Sequence, residues 1–238
     1  MTVGAVVIGL GVIAGIVLTQ GQGTPSSSTA EIVAPSHTVP AGVSVDGQSM
    51  GDPSAPVTLT VYSDFQCPAC DAFANQTEPQ LRTDLVVPGT LRIVYHDAAF
   101  QGQKSTSTYD ESVEPAAGAR CAGEQGQFWE YHDWLFANQH GENEGAFTRD
   151  RLTTIAQNVG LDVTAWTSCM DTGTQQANVR QATQEAAAAN VSVTPTLDVN
   201  GQTYQGAMPF EQLATIIRQV AATASPVPSA SPAPSPSA

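Results

Sequence analysis

Basic side chains are scarce in this chain of 238 residues. Lys and Arg together number 8 against 22 Asp and Glu, which gives a formal net charge of −14 at pH 7, and the first of the Lys and Arg residues is Arg82. A nucleic-acid binder needs a basic footprint that releases counterions from phosphates, and docking on anionic lipid also needs Lys or Arg. The composition therefore argues against both, and we expect no nucleic acid among the partners of this protein.

Cysteine is scarce as well, with four residues in the chain: Cys67, Cys70, Cys121 and Cys169. This density is too low for a small secreted scaffold that disulfides hold together, although an even number suits two pairs. Hydrophobic residues make up 41% of the chain, which is enough to build a core.

Polar side chains are absent from residues 3–18, a run almost long enough to cross a bilayer as a helix. We therefore expect residues 1–19 to be a signal-anchor helix or a cleavable signal peptide, with Ser28-Thr29-Ala30 as a cleavage candidate. The retained anchor is the favoured interpretation, and a buried core helix is disfavoured by the glycines of the run and the linker that follows. Because no Lys or Arg precedes Arg82, the positive-inside rule gives no orientation.

Composition divides the remaining chain into a linker, a core and a tail. Residues 20–53 are rich in Gly, Ser, Thr, Pro and Gln, which predicts a flexible linker. Residues 54–222 carry the periodic apolar patterns of one folded domain. Residues 223–238 are expected to form a disordered tail of Pro, Ser and Ala.

Within the core, apolar periodicity alternates between that of strands and that of helices. The predicted order is a strand at 57–61, a helix to about Arg82, a strand at 91–95, a long helical block, a hairpin at Asn200-Gly201 and a final helix from Pro209. This order is typical of an α/β sheet domain with a helical insertion.

The chemistry of the chain lies in Cys67-Pro68-Ala69-Cys70. Cys67 follows a strand and is placed at the predicted N-cap of a helix, with Pro68 at the first helical position. Its sulfur would face unpaired backbone N–H groups and the positive end of the helix dipole, both of which stabilise a thiolate. Cys70 lies one turn further inside. The spacing predicts Cys67 as the nucleophile and Cys70 as the resolving thiol.

Two other interpretations of a CxxC motif are possible. Half of a zinc site is disfavoured, because Cys121 and Cys169 form no second CxxC and the four histidines show no ligand spacing. A purely structural disulfide between Cys67 and Cys70 is disfavoured because so tight a loop constrains little. We therefore expect neither a metal nor a cofactor.

Four stretches of the core together resemble DsbA-type thiol-disulfide oxidoreductases of the thioredoxin superfamily. In chain order they are GDPSAPVTLTVYSDFQCPAC (51–70), CAGEQGQFWEYHDWLFANQ (121–139), FTRDRLTTIAQNVGLD (147–162) and VSVTPTLDVNGQTYQGAMPFEQL (191–213). Several ordered motifs are far more specific than a CxxC alone, and the resemblance covers essentially the whole core.

The resemblance implies a thioredoxin-like α/β fold with a helical domain inserted at about 111–190. It also implies that Thr194 and Pro195 form a cis-proline loop that binds an extended substrate chain beside the cysteines. Phe65, Pro68 and Ala69 are the expected neighbours of the active site.

Two further sets of residues carry separate expectations. Cys121 and Cys169 fall on different helices of the insertion and are interpreted as a structural disulfide, which some relatives of this kind also carry; two free thiols or a second redox pair are the alternatives. The strand at 57–61 lacks the buried acid that assists proton transfer in thioredoxin. Asp64 is near, but we expect it to be a solvated residue at the start of the helix.

The predicted function is that of an extracytoplasmic thiol-disulfide oxidoreductase of the cell envelope, membrane-anchored, or secreted if residues 1–19 are cleaved. Its expected partners are exported proteins with cysteines, a membrane-bound reoxidant or reductant, and the membrane through the N-terminal helix. The motif leaves the direction of exchange open between an oxidase and a reductase or isomerase. A non-catalytic thioredoxin-like binding module is the alternative from another class.

Overall fold

The structure, a computed structural model, describes residues 31–102 and 109–224. The predicted signal segment 1–19, the cleavage candidate Ser28-Thr29-Ala30 and the tail from residue 225 lie outside the described residues. Within the described ranges, the structure has no helix that is both long and apolar enough to cross a membrane.

A mixed sheet in the order β1-β2-β4-β3-β5-β6 forms the centre of the fold. Its strands are β1 (Val45–Asp46), β2 (Ser49–Met50), β3 (Val57–Ser63), β4 (Leu91–Asp97), β5 (Thr196–Val199) and β6 (Gln202–Gln205). β3 and β4 are parallel, and all other neighbouring pairs are antiparallel. This mixed sheet, with helices between its strands, gives the predicted α/β architecture.

Eight α-helices accompany the sheet in the described residues. They are α1 (Pro68–Ala72), α2 (Glu78–Leu81), α3 (Val113–Gly123), α4 (Phe128–Ala137), α5 (Arg149–Val159), α6 (Val163–Asp171), α7 (Thr174–Ala188) and α8 (Phe210–Thr223). Helices α3 to α7 lie between β4 and β5, where the sequence places a helical insertion. Thr223, which the sequence assigns to the tail, is the last residue of α8.

The helical stretch after Cys67 is wider than an ideal α-helix in two places. Wide π-type turns at Phe73–Thr77 and Arg82–Val86 flank α2, so the stretch ends at Val86 instead of the predicted Arg82. Pro79 has no N–H to donate to the preceding turn, which removes one bond of the regular helical ladder where α2 begins.

The predicted hairpin and one helix start follow from local chemistry. Asn200 and Gly201 take φ values of 49° and 93°, the left-handed conformation that a two-residue type I′ turn requires. The Asp162 carboxylate accepts hydrogen bonds from the backbone N–H groups of Thr164 and Ala165 and so caps α6.

The predicted flexible linker at 20–53 is wrong for its second half. β2 pairs with β4, placing Met50 opposite Ile93, and Met50 is fully buried. Val33 lies upstream of these strands and is held by the Asn138 side chain at the end of α4. Its backbone N–H donates to that side chain and its C=O accepts from it, each at 2.8 Å. Strands of two residues are too short to show a periodic pattern, so composition alone assigned this segment to a linker.

Candidate active site

The candidate active site lies where three segments reach the same edge of the sheet. β3 and β4 are parallel and end together, with Ser63 opposite Asp97. β5 runs antiparallel to β3 and begins at this edge, with Thr196 opposite Tyr62. The residues that follow β3 and those that precede β5 are therefore brought side by side.

Cys67 is the N-cap residue of α1, with φ −75° and ψ 120°, and Pro68 is the first residue of the helix. Its thiol sulfur lies 3.3 Å from the backbone oxygen of Thr194, to which the protonated thiol donates. Cys70 is one turn further along and 1% exposed, against 4% for Cys67. The structure thus brings Cys67, Cys70 and Thr194 together.

The two thiols differ in their acidity. Hydrogen bonds lower the pKa of Cys67 to about 5, and the Cys70 thiol donates the strongest of them. The Thr194 side chain and the backbone N–H groups of Cys70 and Ala69 donate the others. Burial of the Cys67 sulfur opposes this effect. Burial, together with the adjacent Cys67 sulfur, raises the pKa of Cys70 well above its ordinary value. At neutral pH the arrangement provides one thiolate beside one thiol.

The other predicted site residues lie around this pair. Phe65 is fully buried and stacks on Tyr95 of β4, with ring centroids 5.1 Å apart. Pro68 is exposed and Ala69 is half-buried, so the two residues between the cysteines reach the surface. The Thr194–Pro195 peptide bond is cis.

Asp64 is buried, so the expectation that it is a solvated residue is wrong. It is 2% exposed, and its two carboxylate oxygens accept the backbone N–H groups of Gln66 and Gln101, each at 2.9 Å. Burial raises its pKa to about 7, against the lowering effect of these hydrogen bonds. The sequence places Asp64 before a helix, where acidic residues are usually solvated. Here the chain after β4 folds over it.

Sequence reasoning missed Gln66, which is fully buried beside Cys67. Its side chain donates to the Ser112 hydroxyl at 2.9 Å and accepts the backbone N–H of Asn143 at 2.5 Å. The Gln139 side chain donates to its backbone oxygen at 2.8 Å. Nothing in the local pattern marks Gln66, because all three partners come from distant parts of the insertion.

Cys121 and Cys169 are joined by a disulfide that links α3 to α6 within the insertion. The sulfurs are 2.00 Å apart and the Cα atoms 5.9 Å apart. Both sulfurs are thus consumed in one bond, separate from the CxxC pair.

A buried ionic cluster in the described residues has donor atoms that could suit a metal ion. One potential ligand atom from each of Glu78, His132 and Asp133 lies within 4.8 Å of the others. However, the Arg82 guanidinium bonds both carboxylates, and its charge holds the pKa of Asp133 far below the usual range although burial opposes this. The cluster is therefore balanced by an arginine, and we interpret it as structural.

Known proteins resemble this chain both in sequence and in structure. A family model described as thioredoxin (Thioredoxin_4) matches residues 44–219. The chain is 30% identical over 174 residues to the Na(+)/H(+) antiporter NhaA 3 of Salinispora tropica; the match takes in 73% of this chain but 24% of the antiporter, about a quarter of its length.

Two further relatives carry names from disulfide chemistry. A probable disulfide bond formation protein D of Bacillus anthracis is 26% identical over 157 residues, which is 65% of this chain and 70% of that protein. The crystal structure of oxidised Mtb DsbA superposes with a TM-score of 0.60 and 28% identity, covering 76% of this chain and 100% of the other. The resemblance to DsbA-type proteins predicted from the sequence is confirmed.

Proposed function

Because the chain belongs to the thioredoxin family, we propose that it is an extracytoplasmic thiol-disulfide oxidoreductase. It forms, or exchanges, disulfides in exported proteins through Cys67 and Cys70. The observation that carries this proposal is the pair of thiols itself: a sulfur with a pKa of about 5 at the start of α1, and a second buried sulfur one turn away.

In the forward reaction the enzyme begins with a Cys67–Cys70 disulfide. A substrate thiolate attacks the Cys67 sulfur, which forms a mixed disulfide and releases Cys70 as a thiolate that takes up a proton. A second substrate thiolate then attacks the substrate sulfur of the mixed disulfide and releases Cys67. Two electrons pass from the substrate dithiol to the two cysteines, and the substrate leaves with a disulfide.

The acidity of Cys67 favours the oxidase direction over a reductase or isomerase. A thiol of low pKa is a good leaving group, so the second step is fast. The hydrogen bonds from Cys70, Thr194 and the helix N–H groups also stabilise the thiolate of the reduced enzyme, so the disulfide is readily given up. A membrane-bound redox partner would then remove the two electrons.

The surroundings of Cys67 suit an extended client chain. The Thr194 backbone oxygen is 3.3 Å from the sulfur, so a strand laid along Thr194 and Pro195 would carry its own cysteine past Cys67. The exposed Pro68 and the half-buried Ala69 border the same surface.

An extracytoplasmic location has two supports. Structural disulfides persist in oxidising compartments, and the Cys121–Cys169 bond is of that kind. The apolar run at 3–18 would direct the chain to the membrane as an anchor or a signal peptide.

The test combines a redox potential with trapping of intermediates. Equilibration of the cysteine pair in glutathione buffers should give a potential well above the value of about −270 mV that is typical of thioredoxin, and a value near it would contradict the oxidase direction. Cys70→Ser should accumulate mixed disulfides at Cys67. Cys67→Ser should abolish activity, and full activity in that variant would favour the non-catalytic binding module instead.

A further inference from the structure

The loop that carries Cys67 is bonded to the helical insertion from two sides. Gln66 donates to Ser112, which directly precedes α3, and accepts from the backbone of Asn143 in the connection between α4 and α5. Gln139, just beyond the end of α4, donates to the Gln66 backbone oxygen. These contacts span 46, 77 and 73 residues of sequence.

The same network extends into the chain after β4. The Ser112 hydroxyl also accepts the backbone N–H of Gly102 at 2.8 Å, and Asp64 accepts that of Gln101 at 2.9 Å. The Gln66 N–H donates to Asp64, so both the backbone and the side chain of Gln66 have partners. A fully paired, buried amide holds its neighbours in one geometry, because each lost bond leaves a buried polar group unsatisfied.

Cys67 directly follows this fixed residue. Its own backbone N–H donates to the backbone oxygen of Asp64 at 3.0 Å, and its backbone oxygen accepts the Asp71 N–H at 3.0 Å. The position of its sulfur relative to the N–H groups of α1 and to Thr194 is therefore set by the turn at 64–67. Hydrogen bonds weaken steeply with distance and misalignment, so a small movement of this turn would weaken the bonds that hold the thiolate.

We propose that Gln66 is a positioning residue through which the helical insertion sets the reactivity of Cys67. The inference rests on the proposed function, in which Cys67 is the nucleophile. It gives the insertion a role in the chemistry, in addition to carrying the Cys121–Cys169 disulfide.

Two adjacent amides at the end of α4 provide a matched pair of variants. Gln139 points to the active-site loop, whereas Asn138 bonds Val33 and the Trp134 backbone oxygen. Gln139→Ala removes a contact to Gln66 and Asn138→Ala removes contacts of the same kind that lead away from it. Gln66→Ala removes the centre of the network.

The measurement is the titration of the Cys67 thiolate in the reduced protein, followed by ultraviolet absorbance and by the pH dependence of alkylation. We expect Gln66→Ala and Gln139→Ala to raise the pKa of Cys67 by about one unit, which corresponds to a tenfold loss of thiolate at acidic pH. The direction follows because the bonds to the sulfur weaken while its burial remains. Asn138→Ala should lower the melting temperature and leave the Cys67 titration unchanged.

The proposal would be overturned if both glutamine variants titrated like the wild type, or if Asn138→Ala shifted the titration equally, since the effect would then be one of general stability. If Gln66→Ala does not fold, Gln139→Ala decides, because Gln139 is only half-buried. The titration needs no substrate. A wild-type protein that titrates as expected but does not oxidise a dithiol peptide would contradict the proposed function and leave the role of Gln66 standing.

Discussion

Cys67 and Cys70 lie one helical turn apart, yet their thiols meet opposite environments. The Cys70 thiol donates the strongest of the hydrogen bonds that lower the pKa of Cys67, and Thr194 and the N–H groups at the start of α1 add to it. Cys70 is on the inner side of the same turn, where burial raises its pKa. The two thiols differ because Cys67, at the N-cap of α1, accepts these hydrogen bonds, whereas Cys70 donates one of them and is more deeply buried.

The burial of the Asp64 carboxyl group can be tested through the pH dependence of protein stability. Its pKa is raised from 3.8 to about 7, so the folded protein binds a proton that the unfolded chain has already released between these values. The free energy of unfolding therefore falls as the pH rises from about 4 to 7. We predict that the stability of Asp64→Asn, measured by urea unfolding relative to the wild type, increases across this range and is level above it.

The control for this prediction is Asp52, whose pKa is lowered because the Ser54 hydroxyl and N–H donate to it. A lowered pKa contributes stability at pH values above the unfolded pKa, and this stability is lost in acid. The stability of Asp52→Asn relative to the wild type should therefore rise as the pH falls, and only below about pH 4. A pH-independent difference between Asp64→Asn and wild type would contradict the burial of an ionisable Asp64.

At the scale of elements, the segment before β3 belongs to the fold. β2 covers the edge of β4, and the chain upstream of it packs Ile32, Val39 and Val43 against the core. These residues lie in the stretch that composition assigns to a linker, so the boundary of the folded unit falls well before residue 54.

The stability of truncated chains tests where the folded unit begins. We predict that a chain starting at residue 54 is less stable than one starting at residue 31, by about 2 kcal/mol from the loss of Met50 burial alone, and by more with the valines. Denaturant unfolding of the two chains, both without the apolar run, gives the difference. Equal stabilities would mean that residues 31–53 contribute nothing to the folded state.

At the scale of the whole molecule, the insertion and the sheet meet in an aromatic and ionic core. Phe65 contacts Tyr95 of β4 and Phe136 of α4, with ring centroids 5.1 Å and 4.9 Å apart. Arg82, from the helical stretch after Cys67, bonds Asp133 of α4 at 2.7 Å. Helix α4 of the insertion is thus packed against β4 and against the stretch that carries the CxxC motif.

The Cys121–Cys169 disulfide should stabilise the molecule without taking part in exchange. It closes a loop of 48 residues, which is worth about 4 kcal/mol in the chain-entropy treatment. We predict a loss of this order in the double variant Cys121→Ala/Cys169→Ala, measured by urea unfolding, with the alkylation profile of Cys67 unchanged.

The matched double variant Cys67→Ser/Cys70→Ser should retain that stability and lose all exchange activity. If the protein without Cys121 and Cys169 were as stable as wild type but inactive, the second pair would be redox-active and the assignment of roles would be reversed.

The sequence by itself was enough to predict the α/β order, the helical insertion, the type I′ hairpin and the placement of Cys67 at a helix start. Each of these is encoded within a few neighbouring residues: alternating apolar side chains, Asn200-Gly201, and Pro68 after Cys67. The resemblance to a known family, carried by four such stretches, supplied the overall architecture.

Only the tertiary structure decided the environment of Asp64, the partners of Gln66 and the place of residues 31–50. The burial of Asp64 depends on the chain after β4, and Gln66 is held by Ser112, Gln139 and Asn143 from the insertion. β2 exists because β4 offers it a free edge, and β1 in turn pairs with β2. Burial and long-range hydrogen bonds depend on what folding brings together, and no local pattern records those partners.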